Sequence, residues 1–251
     1  AQIGNNLRQL NKKRQEKEME KAEKRKRSKD EILEIVVVVL LGLTALLTAW
    51  ATWIGSLHGG NQATNYAKSS NLSADGNSMW NQAAQDLTAD MQLWNTISEL
   101  RIEYSFAEEK GDAAEMERID WKLEQIYADN VSEELQAAID WADGQEEYAS
   151  PFDMEGYTDS YFADAQAVLD EAQETLEQGQ KDNAHGDAFG LVTVIYSIVL
   201  FLLGIAGSFK STTNKTVIIC IGIVGLIAAS IYMLTLPLPT GFSLSSYFSG
   251  K

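Results

Sequence analysis

Three uninterrupted apolar runs stand out in a chain otherwise rich in charge. Ile35–Leu57 is 23 residues without a formal charge, and Phe189–Phe209 and Thr216–Leu236 are 21 each. At the helical rise, each run reaches roughly 30–35 Å, enough to cross the hydrocarbon core of a bilayer. A helix is the form expected there, because lipid offers backbone groups no partner outside the segment. The pattern predicts membrane helices over 32–57, 189–209 and 216–236.

Between the first two runs, the apolar positions recur at helical spacing. Trp80, Ala84, Leu87, Met91 and Trp94 step by four and three, as do Met116, Ile119, Leu123 and Ile126. Phe162, Ala165, Leu169, Ala172 and Leu176 mark a third stripe. Strand alternation is absent, so 58–188 reads as helices packed side by side. Asn130 with Glu133 suggests a capping box for a short helix through Trp141. Gly144, Pro151 and Gly156 mark the main loop. Gly59, Gly60 and Gly76, and on the other side Gly179, Gly186 and Gly190, are expected to interrupt the two long helices. The fold class is therefore all-α: a membrane protein with three transmembrane helices and an extracytoplasmic, coiled-coil-like helical bundle.

Charge is segregated along the chain and sets the orientation. Residues 1–31 carry eleven Lys and Arg against six Asp and Glu, whereas 58–188 carries six against 29. The first segment and the short loop 210–215 hold the cations flanking the spans, which places both in the cytoplasm. The acidic domain 58–188 and the tail 237–251 then lie outside. This is the arrangement expected in a bacterial cytoplasmic (inner) membrane. Lys24, Arg25, Lys26 and Arg27 fall beside the membrane, where each cation is worth about 1 kcal/mol of attraction to anionic lipid. Ile3, Leu7 and Leu10 have helical spacing in the same basic segment. Trp50 and Trp53 fall at the far end of the first span, the level at which indole rings settle.

Little in the sequence speaks for catalysis. Cys220 is the single cysteine, and the histidines are His58 and His185. No phosphate-binding loop, nucleophile elbow or zinc-protease motif occurs, so no enzyme activity is expected. His58 follows the first span and His185 precedes the second, with Asp182 and Asp187 near the latter. In a closed bundle, the two histidines would meet as a minimal metal site. Asp140, Asp143, Glu146 and Glu147 offer oxygen ligands of the kind calcium takes, without an EF-hand pattern. A divalent cation is the one cofactor the composition suggests. The spans lack the buried ionisable groups that pumps and carriers use. Thr44, Thr48 and Thr52 form an i, i+4 ladder that would line a pore in an oligomer or pack against a neighbouring helix. Ala51, Gly55, Gly225 and Ala229 have the small-residue spacing of helix contacts.

The first span and its exit, with Trp50, Trp53, Gly59, Gly60, Gln62 and Ala63, resemble an uncharacterised family of small bacterial membrane proteins. In that family, a Trp-rich first span precedes an extended helical region and two closing spans. The resemblance implies this layout and no activity.

The function expected is a non-enzymatic membrane scaffold or accessory subunit, homo-oligomeric, whose acidic ectodomain contacts a partner or cations. The alternative is an oligomeric cation channel or transport-related assembly. The partners expected are membrane lipid, further copies of the chain and a basic protein. Nucleic acid is not among them, because the basic stretch lacks interleaved aromatic residues.

Overall fold

The computed structural model describes residues 2–209 and 211–245, and the side chains within them except those of residues 2–13, 22 and 25–28. Five α-helices account for most of the chain: α1 (Gln2–Lys110), α2 (Ala113–Asp129), α3 (Glu133–Asp143), α4 (Tyr157–Ala206) and α5 (Thr212–Thr235). A short 3₁₀ turn occupies Pro151–Asp153, and no strand occurs among the described residues. Three of the helices are long and apolar enough to cross a membrane. The chain divides into two compact units, Ala1–Thr64 with Gln178–Lys251, and Asn65–Glu177.

In the first unit, parts of α1 and α4 pack with α5, and the buried positions recur in sevens. One such series is Thr44, Ala51 and His58 on α1, Asp182, Phe189, Tyr196 and Leu203 on α4, and Ile219, Leu226 and Met233 on α5; Ile54, Val192, Val199, Ala206, Gly222 and Ala229 are buried beside it. A seven-residue repeat keeps one seam facing its neighbour and gives the packing of a left-handed coil. In a membrane, where lipid tails are as apolar as leucine, close packing would have to hold such helices together. The glycines permit it. A Cβ on Gly55 would lie 3.2 Å from Cβ of Phe189, and one on Gly225 would lie 3.0 Å from Cγ2 of Val199. Tyr196 and Ser230 share a hydroxyl hydrogen bond of 3.0 Å across α4 and α5. Val38, Val39, Leu46, Ile198, Phe201 and Val224 face outward, as a lipid-facing surface would require.

The expected interruptions at Gly59, Gly60 and Gly76 do not occur: α1 runs through all three, and α4 runs through Gly179, Gly186 and Gly190. A single glycine costs about 1 kcal/mol against alanine in a helix. Flanking turns and packing outweigh that cost here.

The second unit folds α2 back along α1. Gly111 makes the reversal possible with φ +69°, a left-handed conformation that a side chain would strain. The carboxylate of Asp112 accepts the Glu115 N–H at 3.2 Å and starts α2. Leu100 and Ala107 pack on Ile119, with Met116, Leu123 and Ile126 beside them. A second cluster joins Trp94 and Ile97 of α1 to Leu135, Ala138 and Ile139 of α3 and Tyr157 of α4. The cap of α3 is Ser132, which accepts the Leu135 N–H at 3.1 Å. Asn130, expected in that role, instead closes α2, its N–H bonded to Ile126 O. Ser132 has the extended backbone that a cap needs, and one further residue of turn separates the helices.

The seam between α1 and α4 in this unit uses small residues. Ser69, Gly76 and Ala83 are buried on α1, and Ala165 and Ala172 on α4. Ser69 Oγ donates to Ala172 O at 2.7 Å. Of the stripe expected in this stretch, Trp94 is buried and Ala84 and Leu87 are half-buried, whereas Trp80 and Met91 are exposed. The backbones approach too closely for an indole, so Trp80 lies to the side against Phe162, with ring centroids 4.5 Å apart.

Candidate functional site

The most elaborate polar arrangement of the first unit is built on His58. The seven-residue repeat Thr44–Ala51–His58 brings an imidazole onto the buried seam of α1, and the repeat from Asp182 brings a carboxylate onto that of α4. Each residue is 1 % exposed. His58 Nδ1 lies 3.0 Å from Asp182 Oδ1, and His58 Nε2 lies 3.1 Å from the carbonyl oxygen of Pro237. Gln178 Nε2 donates to Asp182 Oδ2 at 3.4 Å. The Phe189 ring stacks on the imidazole at a centroid distance of 5.9 Å, and the His185 ring lies 5.3 Å away.

The two histidines do meet, as a closed bundle requires, with ring centroids 5.3 Å apart. Both nitrogens of His58 face protein oxygens. Among the described residues, no cluster of three or more His, Cys, Asp or Glu could hold a metal ion. Pro237 enters this site through its backbone, and its side chain gave no sign of that in the sequence.

Beyond Pro237, the chain returns along α1. Asn61 Nδ2 donates to Thr240 O at 3.3 Å. The Phe242 ring meets Trp50 and Trp53 edge-on, at centroid distances of 6.2 Å and 5.7 Å. The two indoles stand 5.5 Å from each other. Expected as lone membrane-level residues, they are half-buried and also hold this segment.

The threonine ladder satisfies itself. Thr44, Thr48 and Thr52 donate to Leu40 O, Thr44 O and Thr48 O at 2.7, 2.7 and 2.8 Å. Thr44 and Ala51 are buried, Thr48 is half-buried and Thr52 exposed, so the ladder winds from the seam to the outside. Gly55, Gly225 and Ala229 lie in helix contacts. Lys24 is exposed, whereas the side chains of Arg25, Lys26 and Arg27 and those of Ile3, Leu7 and Leu10 lie outside the described residues.

In the second unit, the expected cation ligands are partly engaged. Both oxygens of Asp143 accept from Arg101, at 2.8 and 2.9 Å. Arg101 also donates to Tyr127 Oη at 2.9 Å and lies over the Trp94 ring. Asp140 accepts from Gln136 at 2.7 Å, and Glu146 and Glu147 are exposed.

A group not foreseen from the sequence joins α1 to the start of α4. Asp90 accepts from Tyr157 Oη at 2.8 Å and from Tyr161 Oη, and the two hydroxyls are 3.0 Å apart. Burial, then the hydroxyl hydrogen bonds, push the Tyr157 phenol well above its ordinary range. Burial and the bond to Asp90 push Tyr161 up to about 12. The neutral phenols are therefore the working forms, and the group acts as a tie between helices.

No family model matches the chain, and comparison with curated proteins and with solved structures finds no match.

Proposed function

We propose that this chain is an integral membrane scaffold or accessory subunit that holds its acidic helical unit outside the cytoplasm and offers it to a partner. The observation that carries this reading is apolar exposure on the charged unit. Trp121 is 62 % exposed and Tyr148 89 %, and Ile102 and Phe106 are also exposed. These four residues lie in 65–177, which carries 27 Asp and Glu against five Lys and Arg. Exposed aromatic residues rimmed by charge are the usual anchors of a protein interface. The acidic rim selects a partner with basic residues around an apolar centre.

The hydrogen-bonding of the threonines favours helix packing over a hydrated pore, so the channel alternative gains no support from them. Orientation with the acidic unit outside, in a bacterial inner membrane, rests on the Lys and Arg flanking the spans. Ala51, Gly55, Gly225 and Ala229 are taken up in contacts within the chain, so homo-oligomerisation gains no support from these small residues.

Extraction of the full chain in mild detergent, followed by native mass spectrometry, tests the proposal. A larger assembly, of copies or with a second protein, is expected. Replacing Trp121 and Phe106 together by alanine is expected to release a second protein while leaving helix content unchanged. A strictly monomeric particle without a companion overturns the reading.

A further inference from the structure

The two oxygens facing His58 are of kinds that accept hydrogen bonds. A peptide carbonyl only accepts, and a carboxylate donates only when it carries a proton. Both contacts are satisfied in two ways. Either the imidazole is doubly protonated beside an ionised Asp182, or a protonated Asp182 donates to Nδ1 while Nε2–H donates to Pro237. Both arrangements hold the same number of protons, one more than a neutral imidazole beside a carboxylate. Without that proton, the Nδ1–H stays with the carboxylate, and the lone pair of Nε2 faces the lone pairs of Pro237 O at 3.1 Å. A close contact of that kind, in a site 1 % exposed, is repulsive.

We propose that His58 and Asp182 form a proton-binding site whose occupancy fastens the segment Leu236–Ser245 to α1. That segment leaves α5 and lies back along α1 as a strap. Two further attachments, Phe242 on the two indoles and Asn61 on Thr240 O, contain no group that gains or loses a proton. The bond from His58 to Pro237 is an attachment a proton controls.

On α4, the titratable groups at the imidazole are Asp182 and His185, and Gln178 is neutral. Asp187 is exposed and accepts from Asn183. The stretch of α1 from Ile35 to Thr64 carries His58 as its one ionisable side chain, and Leu236–Ser245 carries none. The sign follows directly. The strap is closed in the protonated state and loosens as pH rises and the proton leaves. Loosening uncovers the faces of Trp50 and Trp53 that Phe242 covers.

The test uses the full chain in detergent micelles with 4-fluorophenylalanine at position 242 and isotope-labelled histidine. The fluorine signal and the imidazole nitrogen signals of His58 are followed together from about pH 5 to about pH 9, a span that brackets ordinary histidine titration. The proposal expects both to move along one titration curve. The closed-to-open ratio should fall about tenfold, in line with leaving a buried polar group unpaired. His185→Gln should keep the coupled movement, and His58→Gln should abolish the fluorine change. A fluorine signal that stays fixed while His58 titrates overturns the proposal. So does a fluorine change that persists in His58→Gln. The co-titration of the unsubstituted protein decides the matter even if a variant fails to fold.

Discussion

Asp182 Oδ1 stands 3.0 Å from His58 Nδ1 across 124 residues of intervening sequence, and both side chains are buried. Removing one partner of such a pair leaves the other buried without its counterpart, which costs about 3–5 kcal/mol. His58→Leu and Asp182→Leu are each expected to lower the thermal midpoint in detergent by a large margin. The double variant should cost much less than the sum of the two, because it leaves neither group stranded. Strictly additive losses would show that the two side chains do not act as a pair.

Gly60 and Gly55 lie on one helix and should respond oppositely to alanine. Gly60 is exposed, with nothing within 4 Å of an added Cβ. Gly60→Ala should therefore gain up to about 1 kcal/mol of helix preference and raise the midpoint. At Gly55, an added Cβ would lie 3.2 Å from Phe189 Cβ, an atom fixed to the backbone. Gly55→Ala should lower the midpoint. A fall at Gly60 as well would mean that the chain bends there and that α1 is not continuous.

The contrast shows what the sequence made legible. Length and apolarity alone identified the three long helices, because lipid permits few structures and the criterion is simple. The pattern of Met116, Ile119, Leu123 and Ile126 gave the buried face of α2. Glycine misled at 59, 60 and 76, because its local cost is small beside the packing of long helices. The stripe from Trp80 to Trp94 held at Trp94, which is buried, and misled at Trp80 and Met91, which are exposed. The true seam runs through Ser69, Gly76 and Ala83, whose smallness is the signal. The seven-residue steps Thr44–Ala51–His58 and Asp182–Phe189–Tyr196 were also present in the sequence, and they place the histidine and the carboxylate on seams. The carbonyl of Pro237 and the hydroxyl tie at Asp90 carry no local pattern; they arise only when distant segments pack.

The tie at Asp90 gives the acidic unit an alkaline limit. Tyr161 is held neutral up to about 12, against an ordinary phenol value of about 10. A raised value in the fold means that the unfolded chain ionises first. The stabilisation is therefore complete below about pH 10 and is lost as pH rises toward 12. Phenolate absorbance and helix content, followed together in an alkaline titration, should change in that window. Tyr161→Phe should weaken this dependence, leaving the part due to Tyr157, and lower stability at neutral pH by about 1 kcal/mol, the usual worth of one hydrogen bond. An unaltered alkaline profile in that variant would place the limit elsewhere.

Phe242 should anchor the strap by its ring alone. It meets Trp50 and Trp53 edge-on at 6.2 and 5.7 Å, and an aromatic pair of this kind contributes about 0.5–1.5 kcal/mol beyond burial. Phe242→Ala is expected to change tryptophan emission and to speed amide exchange in Leu236–Ser245. The exchange of α4 and α5 should stay as it was. Phe242→Tyr keeps the ring and should restore both readouts. If alanine leaves strap exchange untouched, the backbone bonds from His58 and Asn61 suffice to hold it. If alanine also loosens α5, the strap is part of the bundle's core rather than a cover laid upon it.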